Sequence, residues 1–371
     1  MKNLLKYLSY VLVAALASVV TLAVVNADPN MKVTKLEELQ ALIEEQFIGE
    51  EDATGDRWSY YISAADYQDH MDQMNNSYVG VGITITVVED GFNIIHVEQT
   101  GPAAEAGILA GDTIVAISGQ SAAGMSTTDA SALVKGEEGT TVDLTVRRAD
   151  AELTFTVERR QVLTVVAEGE LLEGGIGLVT INNFDARCAD ETIAAIESLL
   201  EQGADKLIFD VRNNPGGYKS ELVEVLDYLL PEGPLFRSET YSGKTSVDES
   251  DASCLELPMA VLVNGESYSA AEFFAAAMRE YDAAFVVGSK TCGKGYFQQT
   301  YELLDGSAVG LSVGKYYTPN GISLADVGIT PDIEVEVDEE MFIQIYYGNV
   351  EPMDDPQILA AIDGLKVGNG T

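Results

Sequence analysis

Residues 261–298 read VLVNGESYSAAEFFAAAMREYDAAFVVGSKTCGKGYFQ, and the rest of the chain can be built outward from them. An apolar run over 260–263 has the length of a buried strand and ends in the turn formers Asn264 and Gly265. From Ala270 to Met278 nearly every residue is a good helix former or a bulky apolar group, so Ser269 falls at a helix start, as an N-cap or first-turn residue. Free N–H groups and the positive end of the helix dipole gather at such a point, where they can hold a developing oxyanion. A second buried strand, over 283–287, leads into a lysine bracketed by glycines, Gly293-Lys294-Gly295. A strand–helix–strand unit of this length brings Ser269 and Lys294 to one end of a sheet.

A serine hydroxyl is a poor nucleophile until a base takes its proton, and a lysine is such a base only as the neutral amine. Burial among apolar neighbours favours that form by disfavouring the charge. Taken singly, a serine at a helix start is most often a cap and a lysine between glycines a solvated loop residue. Together, SYSAAE followed by GKGYFQ resembles the active-site signature of the C-terminal processing peptidases, also called tail-specific proteases. The resemblance implies a dyad of Ser269 and Lys294, with Gln298 orienting the amine. The chain departs from the family at Tyr268, where Ala is usual, and at Cys292, where Phe or Tyr is usual. A classical triad does not compete: the only histidines, His70 and His96, lie far upstream.

The 371 residues are enough for two or more domains. Sixty acidic against 21 basic residues give a formal charge of −39, while 46% of residues are hydrophobic. That balance excludes disorder as the dominant state and argues against nucleic acid as a partner. Lys2 and Lys6 precede an apolar run, Tyr7 to Val25, long enough to span a bilayer. The run favours an uncleaved single-pass anchor in the cell membrane with the rest outside the cytoplasm; Val25-Asn26-Ala27 leaves secretion after signal cleavage as the alternative. Cys188, Cys254 and Cys292 are odd in number and scattered, so neither a disulfide framework nor a metal site is expected.

Val33 to Asn76 reads as acidic and helical, with Leu36, Leu39, Leu42, Ile43 and Phe47 at helical spacing. By resemblance this is a helical arm that supports a homodimer, and it ends in a short family motif at Trp58 to Ser63 that holds the only tryptophan. From Tyr78 to about Arg160 short alternating strands take over, and the order of strands with GPAAEAGI and GDTI is similar to bacterial PDZ domains. A PDZ domain adds an extended peptide as an edge strand and clasps its terminal carboxylate with backbone N–H groups. The resemblance puts that loop at Tyr78, Val79, Gly80, Val81 and Gly82, with the glycines alternatively serving only to shape a tight strand entry.

Strand and helix alternate after Gln161, which argues for an α/β layer structure. The strand over 206–211 ends in DVRNNPGGY, which matches the family's second hallmark. A backbone amide must approach the tetrahedral oxygen with no Cβ in the way, so the oxyanion hole is assigned to Gly217, with Gly216 as the neighbouring alternative, and to Ala270 N–H. GITPD at 328–332 also matches the family. The implied fold is an α/β catalytic core of the crotonase and Clp-protease type with a PDZ domain upstream and helical terminal segments. Its divisions are a leader 1–27, an arm 28–76, the PDZ domain 77–160, the core 161–340 and a closing helical segment 341–371. The implied activity is that of a serine endopeptidase, free of metal or organic cofactor, that binds unstructured protein C-termini; the rival reading is an inert PDZ scaffold that tethers such tails.

Overall fold

A computed structural model describes residues 56–149 and 151–367. The leader 1–27 and the part of the helical arm before residue 56 lie outside the described residues. Two compact units emerge: Asn75–Thr164, and a larger one that joins the segment before it, up to Met74, to everything from Val165 onward.

The larger unit is built on a six-stranded sheet in the order Ala167–Leu172, Ile176–Ile181, Lys206–Asp210, Met259–Val263, Ala284–Gly288, Ile333–Glu334. Only the first pair is antiparallel; the others run parallel, joined by crossovers that carry the helices Cys188–Glu201, Lys219–Leu229 and Ala270–Glu280. Side chains alternate across the sheet. Leu207, Phe209, Val261, Val263 and Val286 face the three helices, meeting Ile196, Leu226, Phe273 and Phe274. Ile208, Ala260, Leu262 and Val287 face the opposite way, onto Ile358, Ala361, Ile362 and Leu365 of the helix Pro356–Val367. Both faces are therefore covered, which is why Met259–Val263 and Ala284–Gly288 read as unbroken apolar runs. Arg212, nearly inaccessible, ties the C-terminal segment to the sheet: it pairs with Asp210 and also donates to Asp355 (2.7 Å) and Gln357 (2.9 Å).

A second, antiparallel sheet runs Tyr60–Ile62, Ala308–Tyr317, Gly233–Thr240, Thr245–Ser250, with Tyr296–Glu302 also paired to Ala308–Tyr317. Tyr60–Ile62 falls where the sequence reads as helical arm; among the described residues of the arm, the helix is Tyr67–Met74. Three residues are too few for a periodicity to register, and the strand owes its existence to pairing with Ala308–Gly310 far along the chain.

The smaller unit has an antiparallel sheet in the order Ile83–Val88, Gly91–Val97, Thr113–Ile117, Thr141–Arg148, Ala151–Glu158, with short helices Pro102–Ala106 and Thr127–Val134. Phe92, Ile94, Ile114, Ile117, Leu144 and Val146 form its core. Ile83–Val88 is an edge strand. Within the stretch expected to form a carboxylate loop, Tyr78 to Gly80 lies in a strand paired with Arg160–Leu163, and the Tyr78 ring covers Gly80. Val81 turns its side chain into the core, while Gly82, at φ +76°, makes the left-handed step into the edge strand.

Candidate active site

The parallel strands Lys206–Asp210 and Met259–Val263 end side by side, and a stitch of hydrogen bonds joins the turns that follow them. Asn264 Oδ1 accepts from Asn213 N (3.0 Å), its Nδ2 donates to Asn213 Oδ1 (2.8 Å), and the buried Ser267 hydroxyl donates to Val211 O (2.7 Å). Tyr268 N in turn donates to Asn214 O at 3.2 Å. The Pro215-Gly216-Gly217 turn is thereby laid against Ser269. A Cβ on Gly216 would sit 2.7 Å from Ser269 Cβ and 2.8 Å from Ala270 N, and one on Gly217 would sit 2.2 Å from Phe184 C. At φ +89° and +152°, both positions also need glycine for backbone reasons. Among the described residues, the N–H groups of Gly217 and Ala270 donate to no acceptor, whereas Gly216 N is already bonded to Asn214 Oδ1 (2.8 Å). Of the two glycines, Gly217 is thus the one with an amide to spare.

Ser269 caps the helix Ala270–Glu280 in an unusual conformation, φ +59° and ψ −121°. A non-glycine residue in that region stores strain, and such strain clusters at functional sites. Its amide donates to Glu272 Oε2 at 3.1 Å. Glu272, with no exposed surface, holds three further donors: Thr291 Oγ1 (2.6 Å) and Gly293 N (2.6 Å) on Oε1, and Lys294 N (2.9 Å) on Oε2. One carboxylate therefore fastens the serine turn to the lysine loop. Burial raises the Glu272 pKa against the pull of these four hydrogen bonds. No role for Glu272 was read from the sequence, where a glutamate three residues into a helix signals only a capping box.

Tyr316, on the strand Ala308–Tyr317, reaches the loop: its buried hydroxyl donates to Lys294 O and also interacts with the Ser269 side chain. Burial pushes the phenol pKa well up, helped by the charge of Glu272 and opposed by the Ser269 side chain. The Lys294 amine lies over the Trp58 ring, 5.0 Å from its centroid, and 5.9 Å from that of Tyr268. Burial lowers its pKa to about 8, against the opposing charges of Asp56, Cys292 and Glu272. Among the described residues the amine makes no hydrogen bond to Ser269 or Gln298. The Gln298 amide donates instead to Tyr296 O (3.2 Å) and Ser312 Oγ (3.0 Å), just past an irregularity in the pairing of its strand between Phe297 and Gln298. Such a bulge re-aims the side chain that follows it.

The Ser269 turn, the Lys294 loop, Gly216, Gly217 and Ala270 thus converge at one end of the parallel sheet, with Gln298 on the neighbouring antiparallel sheet. Tyr78 to Gly82 belong to the other unit. A hydroxyl at a helix start, a lysine with a lowered pKa and two unengaged amides are the parts that acyl transfer requires.

Comparison with known proteins agrees with this inventory. The profile of Peptidase family S41 matches residues 175–335 and that of the PDZ domain matches residues 94–148. The chain is 32% identical over 290 residues to the carboxy-terminal-processing protease of Bartonella bacilliformis, covering 76% of this chain and 67% of the relative. It is also 32% identical over 285 residues to the "Probable CtpA-like serine protease" of Staphylococcus haemolyticus, covering 76% of this chain and 57% of the relative. The chain thus spans between 57% and 67% of the length of these two curated relatives. Among solved structures, the tricorn protease shares the fold at TM-score 0.53 and 17% identity, over 79% of this chain and 29% of that one. With a PDZ domain upstream of an S41 core and a carboxy-terminal-processing protease matched over two thirds of its length, the chain belongs to the family of C-terminal processing peptidases.

Proposed function

We propose that this chain is a serine endopeptidase that captures unstructured protein C-termini on its PDZ domain and cleaves peptide bonds with Ser269 and Lys294. The observation that carries the reading is the Glu272 clamp, which holds the Ser269 turn and the Lys294 loop on one carboxylate. The neutral Lys294 amine takes the Ser269 proton as Oγ adds to the scissile carbonyl. Gly217 N–H and Ala270 N–H receive the oxyanion, and the lysine ammonium returns its proton to the leaving amine as the C–N bond breaks. Water then adds to the acyl carbon as the same amine takes its proton, and the ammonium returns that proton to Ser269 Oγ as the ester bond breaks. Catalytic hydrogen bonds often tighten only when substrate binds, so the first proton transfer belongs to the substrate-bound form. Gln298 orients the amine in that form.

Tail capture on the open edge of Ile83–Val88, with Tyr78 to Gly82 at the carboxylate end, is part of the same proposal. So are a location outside the cytoplasm, with residues 1–27 as anchor or cleaved leader, and a homodimer supported by the N-terminal arm. Incubation with an unfolded protein of known C-terminus tests the activity. Ser269→Ala and Lys294→Ala should each abolish cleavage and leave tail binding intact. Cleavage at the wild-type rate by either variant removes that residue from the mechanism, and stable complexes without products from the unaltered chain mean a scaffold.

A further inference from the structure

The segment Asp56–Ile62 does more than add a strand. Asp56 folds it into a turn, accepting from Trp58 N (3.0 Å) and from the Ser59 hydroxyl. Ser59 Oγ accepts from Ser312 N (3.2 Å), and Ser312 Oγ accepts from Gln298 Nε2 (3.0 Å), so the turn is fixed to the strand that faces the lysine loop. Trp58 is thereby set against Lys294. Its ring stands 6.1 Å from that of Tyr268, and the lysine amine lies against both. Arg57 also lies over the Trp58 ring, its guanidinium carbon 4.4 Å from the centroid.

We propose that Trp58, together with Tyr268, is a positioning residue for Lys294, forming an aromatic wall that shuts water away from the amine of the general base. This rests on the Ser269–Lys294 reading and assigns the wall to a segment that enters the core from beyond the PDZ domain in sequence.

Two effects of the rings oppose each other. A ring face attracts the ammonium and so favours charge, while the exclusion of water favours the neutral amine. The other groups around the amine are Asp56 and Arg57 on the turn, Glu272 on the nucleophile helix, Cys292 on the lysine's own loop and Tyr316 on the adjacent strand. Asp56, Glu272 and Cys292 favour the charged form, yet the lysine pKa is lowered to about 8 with burial as the largest cause. Burial outweighs these charges, and the rings 5.0 Å and 5.9 Å from the amine are part of what buries it, so removing the wall shifts the lysine toward its ordinary, higher value.

The test uses the full chain. The pH dependence of kcat/KM is measured on an unstructured peptide for the wild type, Trp58→Ala, Trp58→Phe and Tyr268→Ala. The Lys294 side-chain titration is followed by NMR in a Ser269→Ala background, with the signal assigned by Lys294→Arg. Trp58→Ala should move both midpoints to higher pH by about one unit, giving about tenfold lower kcat/KM at pH 7 that is recovered on raising the pH. Trp58→Phe should return the midpoints toward the wild-type position, and Tyr268→Ala should move them the same way as Trp58→Ala. If Trp58→Ala does not fold, Tyr268→Ala carries the test alone. Midpoints that stay put, or move to lower pH, overturn the proposal. Cleavage that survives Lys294→Ala would instead overturn the dyad on which it rests.

Discussion

Exchanging Glu272 for Gln separates the placement of the reacting groups from the stability of the unit around them. The carboxylate takes two donors on each oxygen: Thr291 Oγ1 and Gly293 N on one, Ser269 N and Lys294 N on the other. An amide keeps one oxygen and turns an NH2 toward whichever pair faces the other atom. Two hydrogen bonds to a charged acceptor are lost, a gross cost of about 3–6 kcal/mol at about 1.5–3 kcal/mol each. Against this stands the relief of a buried charge. Burial raises the Glu272 pKa despite all four bonds, so charge burial outweighs what the bonds return, and a neutral side chain recovers part of the loss. The net cost should be on the order of 1–2 kcal/mol, a modest shift in a urea melt.

Catalysis has no such offset. Whichever oxygen is replaced, either the Ser269 and Lys294 amides or the donors Thr291 and Gly293 just before Lys294 are pushed away, and a displacement of about 1 Å between reacting groups costs roughly 100-fold. Glu272→Gln should therefore lose on the order of 100-fold in kcat/KM on an unstructured peptide while remaining folded. A folded Glu272→Gln chain with kcat/KM within about threefold of wild type would refute the clamp, because misplacement of this size could not be so mild.

Four further outcomes follow from the same geometry. On the proposed mechanism Lys294 acts as the neutral amine, and with its pKa lowered to about 8 kcat/KM should rise with pH through that value and level off above it; a limb near the ordinary lysine range would contradict the burial. Gly216→Ala places a Cβ 2.7 Å from Ser269 Cβ at φ +89°, and should cost about 1–3 kcal/mol in a denaturant melt and abolish measurable cleavage. Arg212→Ala leaves Asp210 and Asp355 without the cation they share, and about 3–5 kcal/mol should be lost in urea titration. Asp185, pushed up to about 7 by burial and the charge of Glu221, is a raised acid: its contribution to stability is complete below its unfolded pKa and lost as pH rises through 7. Asp185→Asn should therefore raise the melting temperature at pH 8, by about 1–2 kcal/mol of stability, and the gain should vanish near pH 4.

What the sequence made legible was whatever is written in neighbouring residues. The strands Met259–Val263 and Ala284–Gly288 are buried on both faces and announce themselves as apolar runs; the helix Ala270–Glu280 between them announces Ser269 at its start. Glycines at 216 and 217 stand in a turn where a Cβ would collide, so their requirement shows in the letters. Glu272 closes the SYSAAE signature and Trp58 opens a family motif, yet neither pattern tells what the side chain touches. Glu272 acquires its part only because the loop 291–294 returns to it after a whole helix and strand, and Trp58 because Tyr60–Ile62 finds a partner at Ala308–Gly310. Gln298 illustrates the opposite case: its spacing from Lys294 is fixed in the sequence, yet a shift in strand register at that residue decides where its amide points. Periodicity and turn chemistry reveal what a segment does for itself, whereas a buried carboxylate holding two loops together is a property of chain closure. For that reason the residues proposed to set the distance and the protonation of the proposed dyad are harder to read from the chain than Ser269 and Lys294 themselves, and substitutions at Glu272 and Trp58 probe the fold's contribution more directly than substitutions at Ser269.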